Sequence, residues 1–83
     1  MKKGFFKITD VIYRNDWQIV SLIFKDFRPL HIEFRHWENN VWYLYGESEF
    51  FAPVEEGVIP PQYDITVTSN EDGTYTLKYT KVI

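Results

Sequence analysis

The residues in this chain that invite a search for chemistry are His31, Glu33 and His36, with Ser21, Ser48 and Ser69 as candidate nucleophiles. His31 and Glu33 fall on one face of an extended segment and have the composition of an acid–base pair. No third group at a recognisable spacing orients them, so a catalytic reading has little behind it. The two histidines are five residues apart, which sends them to opposite faces of a strand and argues against a shared metal. None of the serines has a His or Asp at motif spacing. Gly4, Gly46, Gly57 and Gly73 are scattered, so no phosphate-cradling loop is present. The sequence therefore predicts no catalytic residue, no metal site and no cofactor, and points to recognition instead of reaction.

Recognition has a clear candidate in the run His36–Phe51, HWENNVWYLYGESEFF. Alternate side chains of a strand point to opposite faces, so a run this aromatic cannot hide every ring on one side. A three-residue turn at Glu38-Asn39-Asn40 pairs Phe34 with Leu44 and places His31, Arg35, Trp37, Val41, Tyr43 and Tyr45 on one face. A two-residue turn at Asn39-Asn40 moves Trp42 and Leu44 there instead, because a one-residue slip exchanges the faces. Either way Arg35 and Trp37 share a face with at least one more ring. The predicted partner-binding set is Arg35, Trp37, Val41, Trp42, Tyr43 and Tyr45. Such Trp, Tyr and Arg groupings are enriched at interface hot spots. The competing structural reading is that another part of the fold covers these rings.

A secondary candidate is the acidic segment Glu47, Glu49, Glu55 and Glu56 around Phe50, Phe51 and Val54. It would dock on a basic surface, or else simply solubilise a loop whose rings enter the core. Pro60-Pro61 reads as a rigid lead-in to the next strand in preference to a polyproline ligand.

Composition sets the wider bounds. The chain has 83 residues, 45% apolar and 19% aromatic, with no cysteine and a net charge of −3. One domain spanning 1–83 is expected, burying about 60–65% of its unfolded surface. Without cysteine there are no disulfides, and a reducing, cytoplasmic setting is expected. No apolar stretch approaches the roughly 18 residues of a membrane span. Residues 1–37 carry seven basic and four acidic residues, a balance of +3, whereas residues 38–83 carry two and eight, a balance of −6. The overall sign disfavours broad nucleic-acid binding, which gains affinity by neutralising phosphates.

The elements that must position these residues are mostly strands. Phe5–Tyr13 alternates, with Asp10 as a bulge, and Arg14-Asn15-Asp16 is a turn. Trp17–Lys25 is apolar on both faces. Its β-branched residues favour a strand, while Asp16 as a cap and the spacing of Trp17, Val20, Phe24 and Phe27 favour a helix over 16–28. Asp26–Pro29 turns, Leu30–His36 alternates, Val41–Tyr45 follows, and 46–62 is a long connection anchored by Phe50 or Phe51. Asp64–Ser69 and Thr74–Val82 flank Asn70-Glu71-Asp72-Gly73 as a hairpin. The expected fold is all-β, a meander of five to six antiparallel strands curled into a sheet or barrel, with α+β as the alternative. The expected function is a small non-enzymatic protein-binding module, such as an accessory factor or inhibitor encoded by a phage or mobile element, with a homodimer through the aromatic face as one form of contact. The rival is single-stranded nucleic-acid binding on a small barrel, with rings stacking on bases and Lys25, Arg28 and Arg35 on phosphates.

Overall fold

The computed structural model describes residues 2–82. Strands dominate, and five of them form one sheet in the order β2-β3-β1-β4-β5. These are β1 (Lys3–Thr9), β2 (Phe27–Arg35), β3 (Val41–Ser48), β4 (Gln62–Ser69) and β5 (Tyr75–Lys81). Two helices, α1 (Asp10–Asn15) and α2 (Trp17–Asp26), connect β1 to β2. The sheet is open and mixed: β1 runs antiparallel to β3 but parallel to β4. The expected meander and its closure into a barrel are therefore not found. The connection after β3 carries the chain across β1 before β4 begins. Pro61, expected only to stiffen the approach, is part of the sheet, because its carbonyl accepts from the Phe5 N–H at 3.0 Å.

The strand reading of Trp17–Lys25 is overturned, and the helix alternative is the one that forms. Thr9 caps α1 through its side-chain oxygen, which accepts from the Ile12 N–H at 3.4 Å, and Asp16 does the same for α2 from the Ile19 N–H at 3.4 Å. These caps satisfy donors that have no partner inside the helix. Ile19, Ile23 and Phe24 then meet the core along one helical face, with Ile23 wholly buried. Packing of that face outweighs the small propensity penalty of β-branched residues. The same geometry corrects two neighbours. Phe5–Tyr13 is not one strand, because Asp10 opens α1 and is not a bulge. Arg14–Asp16 is a helix junction.

The helices cover one face of the sheet. That face carries Phe6, Ile8, Trp42, Leu44, Tyr63, Ile65, Leu77 and Tyr79, and Phe6, Ile8, Ile23, Phe27, Leu44, Phe51 and Tyr63 form the buried core. Gly4 and Gly46 pair across β1 and β3. Rings lie directly on them: a Cβ on Gly4 would meet Tyr63 at 2.6 Å, and one on Gly46 would meet the Arg28 carbonyl at 2.1 Å and Phe27 at 2.7 Å. Phe51 stacks on Tyr63 at 4.3 Å and the Tyr63 hydroxyl accepts from the Ala52 N–H at 2.8 Å, so the long connection is anchored at Phe51. Phe50 remains exposed. β2 is an edge strand, and Pro29 is tolerated there beside a bulge at Leu30, where the pairing shifts by one residue. The β4–β5 hairpin forms as the sequence predicts, with Gly73 at φ 87° and Thr66, Thr68, Thr76, Lys78 and Thr80 outward.

Gly46→Ala should cost about 3 kcal/mol or more, because the new methyl group meets backbone that cannot swing away. Gly57→Ala, at φ 85° with nothing within 4 Å, should cost only about 1 kcal/mol of backbone strain. Urea unfolding of the two variants checks the contrast. Equal losses would mean that Gly46 is not under the Phe27 ring.

Candidate functional site

Among the described residues no helix or strand lies over the face of the sheet opposite the helices, and its β2, β3 and β1 half carries a row of rings. Alternation along β1 turns Phe5 and Lys7 away from Phe6 and Ile8. Pairing with β3 then sets Phe5 beside Tyr45 and Lys7 beside Tyr43. On the other flank Glu33 pairs with Tyr43, His31 with Tyr45 and Arg35 with Val41. Phe5 stacks on Tyr45 at 5.0 Å and on Tyr43 at 6.3 Å, the two tyrosines stack at 6.4 Å, and His31 lies 5.7 Å from Tyr45. The result is one contiguous aromatic surface.

Arg35 lies over it. Its guanidinium carbon is 3.8 Å from the centroid of Tyr43, with Lys7 Nζ at 5.8 Å from the same ring. Two carboxylates hold the guanidinium: Nε donates to Glu33, and Nη1 donates to Glu38 Oε1 at 3.1 Å. Glu38 also accepts from the Tyr43 hydroxyl. Glu33 chiefly, with Glu38 helping, holds Arg35 protonated more firmly than an ordinary arginine. The Tyr43 hydroxyl, then Arg35, hold Glu38 below the usual carboxylate range. Glu38, then burial, push the Tyr43 phenol up. Arg35 is thus preorganised, with little rotamer freedom left to lose on binding.

The turn supplying Glu38 is longer than either predicted version. β2 ends at Arg35 and β3 begins at Val41, with a 3₁₀ turn over His36–Glu38 and left-handed Asn39 and Asn40 at φ 64° and 57°. Phe34 consequently faces Trp42, not Leu44 or Tyr45. Of the predicted set, Arg35, Val41, Tyr43 and Tyr45 are brought together on the open face. Trp37 is not on the strand. It stands on the 3₁₀ turn, edge-on to His36 at 5.1 Å and 67% exposed. Trp42 is a correction: it lies on the helix-covered face, stacked on Tyr13 at 4.3 Å, with its indole N–H donating to Asp10 Oδ1 at 2.8 Å. That bond, with Arg14 at 2.7 Å, keeps the Asp10 carboxyl below its ordinary value. Tyr43 is also more covered than expected, only 8% exposed, because Arg35 lies on it.

Of the acidic set, Glu47 and Glu49 come together at one pocket with Lys2 and Arg28. Glu47 sits in β3 opposite Lys3 and Arg28, and Glu49 pairs with Lys2 at 3.4 Å. Glu55 and Glu56 are exposed in the turn before Val58. Sequence reasoning missed Phe5, Lys7 and Glu38 as site residues. The alternation of β1 marks Phe5 and Lys7 as facing away from Phe6, but only the sheet order shows that β3 lies next to them. Among the described residues, no group of three or more His, Asp or Glu side chains converges as metal ligands, and no helix is long and apolar enough to cross a membrane.

Two phenols are raised by the fold, Tyr43 by Glu38 and burial, and Tyr79 by burial and then Asp26, the latter to about 12. Each stabilises fully below the unfolded phenol value near 10, and its contribution is lost as pH rises through the folded value. Glu38 acts oppositely, contributing above the unfolded carboxylate value and losing it as pH falls through its lowered value. Titration of phenolate absorbance should therefore show late-ionising tyrosines, with Tyr43→Phe removing one and Tyr79→Phe another. Tyr43→Phe should also shrink the loss of stability on both the acid and the alkaline side. An unchanged titration in Tyr43→Phe would show that the bond to Glu38 does not form in solution.

Comparison with protein-family models, with curated proteins and with solved structures found no match to this chain in any of the three.

Proposed function

We propose that this chain is a non-enzymatic module that binds another protein through the open face of its sheet, with Arg35, Tyr45, Phe5 and Val41 as the contact surface and Trp37 as a projecting anchor. The observation that carries this reading is the Arg35–Tyr43 stack. A guanidinium close over a ring, held by two carboxylates at separate nitrogens, is a rigid amphipathic contact of the kind that dominates interface energetics. Two residues further along the chain Trp37 stands exposed, and Phe5 and Tyr45 next to the stack are half-buried. Around the buried Tyr43 the cluster thus keeps apolar ring area accessible that a partner would cover.

The same observation weighs against the nucleic-acid alternative. Tyr43 is capped by Arg35 and offers no free ring for a base. Glu33 and Glu38 offset Arg35 and Lys7, so the site has no surplus of positive charge for phosphates.

The test is affinity capture from source cells with nuclease treatment, followed by measured affinity of the purified partner. Trp37→Ala should weaken binding by about thirtyfold, roughly 2 kcal/mol. Arg35→Lys should weaken it as well, because a lysine keeps the charge but loses the flat, doubly held geometry. Both variants should fold, and the exposed-surface control Ile59→Ser should bind normally. Full affinity in Trp37→Ala and Arg35→Lys would place the contact elsewhere. Binding abolished by nuclease and steeply weakened by salt would overturn the protein-partner reading in favour of nucleic acid.

A further inference from the structure

The outer side of the helix layer presents a second unpartnered surface, independent of the open face. Trp17, Ser21 and Lys25 recur every fourth residue along α2 and form one outward stripe. All three are exposed, Trp17 by 72%. The stripe, with Gln18 and Leu22, makes one wall of a groove of about 360 Å³, and Gly73, Thr74 and Tyr75 at the β4–β5 turn make the other. Lys25 carries the one formal charge among the residues that line it.

We propose that this groove is the contact between two copies of the chain, with α2 packed antiparallel on α2 of its partner about a twofold axis at Ser21. A twofold interface must be self-complementary: if residue i meets residue j, then j meets i. The stripe meets this condition. Trp17 and Lys25 lie four residues to either side of Ser21, about 6 Å along the helix axis. Antiparallel packing therefore sets each indole against the partner's lysine at both ends at once. A cation over a Trp face is the most favourable pairing of its class, and the lysine stem covers the ring with apolar surface. A parallel arrangement would set lysine against lysine. Ser21 at the crossing is small enough for the axes to approach to the 8–10 Å or so of packed helices. The lone positive charge of each groove thus receives an electron-rich ring and no like charge. One helix pair and its flanking turns make a small interface, so the association should be micromolar or weaker.

Sedimentation equilibrium of the full chain from roughly 10 μM to 1 mM should show reversible dimers. Trp17→Ala and Lys25→Glu should each raise the dissociation constant at least about thirtyfold, because each change strikes both symmetry-related contacts. Circular dichroism should confirm that these exposed positions leave the fold intact. The exchange variant Trp17→Lys/Lys25→Trp rebuilds both contacts with the partners swapped and should restore dimers to within about tenfold of the parent. Trp37→Ala should dimerise like the parent. A chain monomeric throughout this range overturns the proposal. So does a dimer that survives Trp17→Ala and Lys25→Glu, a folded exchange variant that stays monomeric, or a dimer lost in Trp37→Ala.

Discussion

The seating of Phe27, Phe51 and Tyr63 on the glycine pair Gly4 and Gly46 is the constraint on which the rest of the fold depends. A side chain at either glycine would collide with a ring or with the backbone of β2. Because the row is bare, Phe27 can end α2 and begin β2 in the same residue, lying over the sheet with no intervening loop. Phe51 can likewise reach back from the long connection, stack on Tyr63 and pack edge-on to Phe27 at 6.2 Å. Two otherwise unrelated segments are thereby fixed to the same spot. Interiors this close-packed tolerate little added volume.

That arrangement explains why only one face of the sheet is covered. Both helices and the anchored connection are committed to the Phe6 and Leu44 side. Among the described residues no helix or strand lies over the other face, and its rings protect one another. Phe5, Tyr43 and Tyr45 do this by stacking, and Arg35 does it by lying on Tyr43 under the hold of Glu33 and Glu38. The local stability of the open face and its capacity for recognition thus come from the same contacts. Preorganisation costs the free protein some rotamer entropy and spares that cost on binding.

The two surfaces singled out differ in kind. The open face is rigid, ring-rich and internally charge-paired, features of a contact made to a separate partner. The α2 groove carries one formal charge among its described lining residues and has a periodic stripe that is symmetric about its centre, which is the requirement for association with a copy. They lie on opposite sides of the sheet, so one molecule can use both at once.

The sequence by itself determined whatever depends on local pattern. The β4–β5 hairpin, its turn at Gly73, the alternation of His31–Arg35 within the predicted Leu30–His36 and the anchoring role of Phe51 were legible, because two-residue periodicity and turn chemistry are short-range properties. Arg35, Tyr43 and Tyr45 share a face in one of the two predicted registers, and alternation alone could not choose between them. The tertiary structure decided the rest. Trp17–Asp26 is a helix because Asp16 caps it and Ile19, Ile23 and Phe24 find a sheet to pack on. Their intrinsic preference for strand is too weak to prevail against that packing. Trp42 belongs to the covered face because the turn runs from His36 to Asn40, and a change of turn length resets which rings oppose one another. Phe5, Lys7 and Glu38 join the site only because β1 sits next to β3 and the 3₁₀ turn folds Glu38 back onto Tyr43. Neither fact has a local signature: strand order and loop path are fixed by contacts between residues far apart in the chain.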